Sequence, residues 1–117
     1  MAVKRLHVQK RFSEIAIAGN LVHLAGQLAS DLSLDIKGQT QQTLDYIDQF
    51  LADAGTDKSN ILSVMIFIKD IENDYDAMNE VWDAWVSDIE ALPRTCVEAK
   101  MYKPNVLVEM TVVAVKP

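Results

Sequence analysis

The feature that most restricts the fold is the segment VLVEMTVVAV, residues 106–115, in which apolar residues fill nearly every position. Side chains in a β-strand alternate between the two faces of the sheet. One face of this strand would carry Val106, Val108, Met110 and Val112, and the other would carry Leu107, Glu109, Thr111 and Val113. The carboxylate of Glu109 then points into an apolar surface, where an ionised and unpaired group costs free energy.

The rest of the chain predicts the element order ββ(β)αβαββ. Alternating or continuous apolar runs predict strands at 3–8, 14–18, 21–25, 60–70, 95–101 and 106–115. Gly19-Asn20 is typical of a two-residue hairpin turn, and residues 26–38 lack periodicity and indicate a loop. Apolar residues at helical spacing predict one helix over 40–54 and a second from an N-cap at Asp74 to Pro93.

This order favours an α+β fold in which one mixed sheet carries both helices on one face. A chain of 117 residues corresponds to a single domain, here 1–117. Apolar residues are frequent on both sides of the strands, so the face opposite the helices also needs a cover. Another copy of the same sheet is the simplest cover, which predicts a homo-oligomer whose deep pockets lie between subunits.

Charge and composition exclude several classes of function. The formal net charge is -6, and no segment gathers the Lys and Arg that phosphate binding needs, so we expect no nucleic-acid partner. No stretch is apolar enough for a signal peptide or a membrane helix, which predicts a cytoplasmic protein without a membrane partner. Cys96 is the only cysteine, which excludes an intramolecular disulfide and a two-cysteine metal site.

Two charged residues are the best candidates for chemistry. Glu109 is either a functional carboxylate or an edge or interface charge held in an ion pair, and the sequence gives both readings about equal weight. Arg94 directly follows Pro93 at the entrance to a strand, where its guanidinium would suit bidentate capture of a carboxylate. An interface ion pair, including one with Glu109, is the alternative for Arg94 and is slightly favoured by physics alone.

Other reactive residue types carry weaker signals. Neither histidine is placed to activate Cys96, which favours core packing for this thiol. The histidines do not form a helical pair or a carboxylate cluster, so no metal site is predicted. Trp82 and Trp85 lie three apart on the second helix, which predicts core positions, with one edge of Trp82 available to line a cleft.

The string PRTCVEA…P…VLVEMTVVAV, with fifteen positions from Arg94 to Glu109, resembles the carboxy-terminal signature of the Rid family, the YjgF-type reactive intermediate deaminases. Weaker matches cover nearly all of the rest of the chain: GNLVHLAGQLA, QTLDYIDQFLADAG, ILSVMIFIKD and DYDAMNEVWDAW. The resemblance implies a chorismate-mutase-like α+β domain, assembled as a homotrimer with clefts between its subunits.

The resemblance also implies roles for single residues. Arg94 matches the arginine that binds the substrate carboxylate, and the backbone amide of Cys96 matches the group that assists it. Glu109 matches the glutamate associated with the attacking water, and Gly26 matches a glycine whose backbone lies at the cleft. Phe12 stands where many members have a cleft tyrosine, so the ring can shield the site but has no hydroxyl. With phenylalanine in place of tyrosine at this position and the segment KRFS around it, the chain resembles a divergent branch of the family.

The implied activity is hydrolytic deamination of 2-imino or enamine acids to 2-keto acids and ammonia, with Arg94 as the anchor and Glu109 as the activating group. No metal or organic cofactor is expected, because a protonated imine is already a good electrophile. The alternatives are a trimeric sensor that holds a small carboxylate metabolite such as 2-ketobutyrate without turnover, and a protein-interaction role without a ligand. Phe12 favours the sensor, whereas the presence of both Arg94 and Glu109 favours the enzyme.

Overall fold

The last strand of the chain lies inside the sheet rather than at its edge. The structure, a computed structural model, describes residues 2–117. Within these residues the strands and helices are β1 (Val3–Val8), β2 (Ser13–Ala18), β3 (Leu21–Gln27), α1 (Ile36–Asp53), β4 (Ile61–Ile68), α2 (Ile71–Trp85), β5 (Arg94–Glu98) and β6 (Val108–Val115). The described strands form one sheet in the spatial order β1-β2-β3-β6-β4-β5.

The pairing of the strands makes this a mixed sheet. All neighbours are antiparallel except β4 and β5, which are parallel and are joined through α2. β6 pairs with β3 on one side and with β4 on the other, and β5 forms an edge. Both helices pack on the same face, so the predicted α+β architecture is confirmed. Nowhere in residues 2–117 does a helix combine the length and the apolar character that a bilayer crossing requires.

The core lies between the sheet and the inner sides of α1 and α2. The strands contribute Val22, Leu24, Val64, Ile66, Ile68, Val108, Met110 and Val112. The helices contribute Leu44, Ile47, Leu51, Met78, Trp82 and Trp85. Buried and half-buried residues alternate along all of β6, which confirms the two faces predicted for this segment and places Glu109 on the face away from the helices.

We call the sheet face away from the helices the open face. Apolar side chains on it stay exposed, and they come from strands across the whole sheet: Val3, Leu21, Met65 and Val97. Exposed apolar side chains gathered on one face are typical of a surface that another protein covers. This agrees with the expectation that the face opposite the helices needs a cover.

The first helix begins four residues earlier than the sequence predicts. The cause is Asp35, whose Oδ1 accepts a hydrogen bond from the backbone N–H of Gly38 (2.9 Å) and so caps the helix. The lack of periodicity over residues 26–38 indicated a loop up to Gly38. This glycine is instead required inside the helix, since a β-carbon there would crowd the side chain of Leu34. The segment that connects β3 to α1 is correspondingly shorter than predicted.

The second helix and the last strands also have different ends from those predicted. Asp70, rather than Asp74, caps α2, since its side chain accepts a hydrogen bond from the backbone N–H of Asn73 (3.2 Å). The acidic residues in the first turn, Glu72 and Asp74, interact favourably with the positive end of the helix dipole. The helix ends at Trp85, well before Pro93. β5 ends at Glu98 and β6 begins at Val108, so a longer irregular loop than predicted separates them.

Gln39 connects this loop to the start of the first helix. The side chain is fully buried, and its Nε2 donates to the backbone oxygens of Leu34 and Asn105 (both 3.0 Å). Its Oε1 accepts from the backbone N–H of Leu107 (3.0 Å). One amide thus satisfies partly buried backbone groups both before α1 and in the loop that leads into β6, and it fixes this loop.

Replacing this amide by a similar apolar side chain tests its role. We expect Gln39→Leu to lower the free energy of unfolding by about 3 kcal/mol, because buried backbone groups lose their partners. Gln49→Leu, at an exposed position on the same helix, is the matched control and should change the free energy by less than about 0.5 kcal/mol. Urea unfolding at one protein concentration measures both, and equal effects of the two variants would contradict the role assigned to Gln39.

Candidate active site

Arg94 is the first residue of β5 and lies on the helix side of the sheet. The register pairs it with the buried residue Val64 of β4, which sets this direction. Its guanidinium lies over the rings of Trp82 (5.1 Å to the centroid) and Tyr75 (5.9 Å). Nη2 donates to Asn79 Oδ1 (2.7 Å) and to the hydroxyl of Tyr75 (3.3 Å). Three side chains of α2 therefore hold the guanidinium in one orientation.

The charge of Arg94 is not neutralised by the groups that hold it. Tyr75, Asn79 and Trp82 are all neutral, and no ion pair within residues 2–117 involves Arg94. In addition, Nη1 is buried and has no hydrogen-bond partner in this part of the chain. A buried N–H group without a partner costs free energy. A rigidly held guanidinium without a charged partner is suited to bind a carboxylate.

The backbone of Cys96 presents a second donor at the same edge. Pro93 and Ala99, at either end of β5, both form backbone hydrogen bonds with β4 (3.0 Å each). Alternate residues of a parallel strand bond to the same neighbour, so the odd-numbered residues of β5 face β4 and the amide of Cys96 points to the free edge. Burial raises the pKa of the Cys96 thiol more than the nearby Arg94 cation lowers it, so the thiol is unsuited to act as a nucleophile.

Glu109 lies on the open face, near the start of β6. Its neighbour across the pair with β4 is Phe67, and on the β3 side its carboxylate packs directly against Gly26. A β-carbon at residue 26 would overlap the carboxylate, so this contact requires a glycine. Glu109 lines a shallow groove of about 310 Å³, together with Phe67, Ala99, Lys100, Met101 and Tyr102.

The surroundings of Glu109 favour its neutral form. Burial raises the pKa of this carboxyl above its ordinary value of 4.5, and no donor or cation among residues 2–117 offsets the effect. A carboxylate with a raised pKa holds a proton more readily and is a better general base when ionised. This is a property that a group exchanging protons with water or substrate needs.

Within one chain, Arg94 and Glu109 do not come together. Arg94 is in register with the buried row of β4, whereas Glu109 pairs with Phe67 on the opposite face. The sheet therefore separates the two side chains, and the ion pair between them that the sequence left open does not form within one chain. A substrate could touch both only if they came from different copies of the chain.

Phe12 and Gly26, two further candidates, border one pocket. This pocket has a volume of about 300 Å³ and is lined by Phe12, Glu14, Gly26, Gln27, Leu28, Ser30 and Tyr46. The ring of Phe12 is 52% exposed, so it is available to a ligand. Since Gly26 also touches Glu109, the pocket lies next to the carboxylate. The structure thus places Phe12 and Gly26 at one pocket and Glu109 against Gly26, whereas Arg94 and Cys96 lie on the edge strand β5.

Trp82 lies beneath Arg94 and is only 4% exposed, so its predicted core position is confirmed, and a contact with a ligand would be limited to its edge. Sequence reasoning missed Tyr75 and Asn79, which hold the guanidinium. The sequence does indicate that these residues lie beside Trp82, because positions 75, 79 and 82 follow the i, i+4, i+7 spacing of one helix face. Their polar ends made them look like ordinary surface residues.

The histidines lie away from these groups. His7 Nε2 is 2.8 Å from Asp53 Oδ2, a contact that connects the edge strand β1 to α1. His23 lies exposed on β3. In the part of the chain that the structure describes, no three His, Cys, Asp or Glu side chains are grouped so that they could hold a metal ion.

The endoribonuclease L-PSP family model matches residues 2–116. A RutC family protein from Haemophilus ducreyi is 42% identical over 112 residues, which cover 96% of this chain and 95% of that protein. A crystal structure of an uncharacterised protein from Pseudomonas aeruginosa superposes with a TM-score of 0.94 at 40% identity and covers 99% of this chain and 100% of that one.

A crystal structure of a YjgF family member from Neisseria meningitidis gives the same TM-score of 0.94 at 36% identity, with 100% of this chain and 97% of that chain covered. The matches extend over whole chains, so they include both candidate regions and the sheet between them. This chain belongs to the endoribonuclease L-PSP family, whose members are also named Rid, YjgF and RutC.

Proposed function

We propose that the protein hydrolyses 2-imino and enamine acids to 2-keto acids and ammonia. The observation that carries this proposal is the state of Arg94, a rigidly held guanidinium whose charge is unpaired in the described chain and whose Nη1 has no partner. Such a group is built to receive a carboxylate. The free amide of Cys96 at the same edge adds a second donor for the same anion.

The site would be assembled from two subunits of a trimer. One subunit would supply Arg94 and Cys96 from the edge of β5, and its neighbour would supply Glu109, Gly26 and Phe12 from the open face. Two features support this arrangement: the sheet separates Arg94 from Glu109 within a chain, and the open face has exposed apolar residues that need a cover. A small carboxylate-bearing metabolite would lie in the cleft between them.

The chemistry follows from this placement. Arg94 and the Cys96 amide hold the substrate carboxylate and so fix the position of the imine carbon. Glu109 takes a proton from a water molecule as that water attacks the carbon of the protonated imine, which gives a tetrahedral amino alcohol. The same carboxyl then returns the proton to the nitrogen. The C–N bond then breaks, ammonia leaves, and Glu109 takes the proton of the hydroxyl group as the carbonyl forms, so that the 2-keto acid remains. The ammonia takes this proton from Glu109, so one protonated imine and one water give one keto acid and one ammonium.

A sensor that binds a small carboxylate metabolite such as 2-ketobutyrate is the second candidate. Phe12 favours it, because a phenyl ring gives the cleft no hydroxyl that could hold water or substrate. Binding would use Arg94 in the same way, so the two functions differ only in turnover.

The direct test generates 2-iminobutanoate with an amino-acid dehydratase and follows the release of ammonia and keto acid. We expect acceleration by the wild-type protein and a loss of about a hundredfold in Arg94→Ala, since the anchor for the carboxylate is removed. Arg94→Lys should keep only a small part of the wild-type activity, because an ammonium cannot bind a carboxylate with the two parallel N–H groups of a guanidinium. No acceleration, with thermal stabilisation by 2-ketobutyrate that needs Arg94, would support the sensor instead.

Mixing two inactive variants tests the two-subunit site. We expect Arg94→Ala and Glu109→Gln subunits to be nearly inactive alone, whereas co-refolding them places intact halves opposite each other in some clefts. In a cyclic assembly with random mixing, about a quarter of the clefts combine a wild-type Arg94 with a wild-type Glu109, so about a quarter of the activity should return. No recovery in mixed trimers of confirmed composition would contradict a shared cleft.

The pH dependence tests Glu109. As a base it must be ionised, so kcat/KM should fall as the pH drops through a pKa above the ordinary value of 4.5. Because burial disfavours the ionised form, Glu109→Gln should also stabilise the protein at pH 7. This gain should disappear below pH 4.5, where the carboxyl is protonated in both the folded and the unfolded chain. Urea unfolding measured across this range shows the result, and a destabilised Glu109→Gln at pH 7 would contradict the assignment.

A further inference from the structure

The pocket beside Gly26 has its own charge pattern. Glu14 is the one charged side chain among its described lining residues. Its Oε1 accepts a hydrogen bond from Gln27 Nε2 (3.2 Å), and the same Nε2 donates to the backbone oxygen of Ala25 (3.1 Å). Gln27 is only 4% exposed, so a buried amide fixes the carboxylate of Glu14 in place. No cationic side chain within residues 2–117 pairs with Glu14.

An adjoining groove extends the same pattern. It has a volume of about 220 Å³, shares Ser30 and Tyr46 with the pocket, and adds Gln42 and a second carboxylate, that of Asp45. The pocket and the groove therefore carry one carboxylate each, and neither has a basic residue among its described lining residues. The electrostatic potential beside these carboxylates favours cations and disfavours anions.

Two aromatic rings complete the pocket. Phe12 and Tyr46 both line it, and Phe12 is largely exposed. The face of an aromatic ring attracts a guanidinium or ammonium group, and the methylene groups of a long side chain pack against the same surface. Glu14, Phe12 and Tyr46 together offer the groups that bind a cationic side chain: a fixed carboxylate and aromatic faces beside it.

We propose that this pocket binds a cationic side chain of the substrate, so that the protein prefers 2-imino acids that carry a guanidinium or ammonium group. The inference rests on the proposed function, in which Glu109 acts at the imine carbon. Gly26 connects the two, because it contacts Glu109 and also lines the pocket. A substrate with its carboxylate at Arg94 of one subunit and its imine carbon at Glu109 of the other would direct its side chain here.

A matched pair of stable probes tests the pocket without turnover. 5-Guanidinopentanoate has a carboxylate and a guanidinium, and 5-ureidopentanoate has nearly the same shape without the charge. We expect calorimetry to show about tenfold tighter binding of the guanidino probe by the wild-type protein, the worth of one charge-assisted hydrogen bond. Glu14→Gln can still accept from Gln27, so it should fold normally and lose this preference. Glu90→Gln, at an exposed position on a loop, also removes one negative charge and should keep the preference for the guanidino probe.

Equal affinity of the two probes for the wild-type protein, no binding of either probe, or an undiminished preference in Glu14→Gln would overturn the proposal. Sedimentation of Glu14→Gln provides a further check. A variant that dissociates would show that the pocket holds a cation from a neighbouring subunit rather than from a substrate, and this too would overturn it.

Turnover separates this inference from the proposed function. An amino-acid oxidase with catalase generates the imines of arginine and citrulline, which differ only by a guanidinium and a urea group. Faster hydrolysis of both imines to the same degree would support the deaminase and reject the cation pocket. A tenfold preference in probe binding that depends on Glu14, without any faster hydrolysis, would reject the deaminase and keep the pocket.

Discussion

The alternation of side chains along extended strands is the constraint on which the rest of this structure depends. It directs Glu109 away from the helices, and the register of β5 against β4 directs Arg94 towards them. Each group then has separate support. The guanidinium is held by α2, and the carboxylate lies on Gly26. A single sheet can present these two groups on its two sides but cannot bring them to one ligand, so any chemistry that uses both depends on association between chains.

The supporting groups share one property, which is that they hold the charges without neutralising them. Arg94 contacts an amide, a phenol and an indole instead of a carboxylate. Glu109 lies against Gly26, has Phe67 as its cross-strand neighbour and forms no ion pair within residues 2–117. Both choices lower the stability of the isolated chain compared with paired charges. Arrangements of this kind are common at functional sites, where the free energy is recovered when a ligand binds.

Much of the fold could be predicted from the sequence, because its signals are local. The two faces of β6 and the inner stripe of α1 depend only on the period of a strand or a helix, and both are correct. The side of the sheet that Arg94 occupies could not be predicted, since it depends on the register between strands that lie thirty residues apart. The start of α1 was missed because residues 26–38 lack apolar periodicity, although the capping residue Asp35 is a local signal that marks it. The pocket at Glu14 could not be predicted, because its walls come from segments that are distant in the sequence.

The position of β6 also affects how the chain reaches this structure. β1 to β3 form one antiparallel meander, and β4 with β5 and α2 form a second unit. Within residues 2–117, strand pairing connects the two only through β6. Leu21 of β3 pairs with Val115 of β6, so this contact joins residues that lie near opposite ends of the sequence. During synthesis on the ribosome, both units are therefore available before the strand that joins them, and their apolar edges remain open to chaperones or to wrong partners until it arrives.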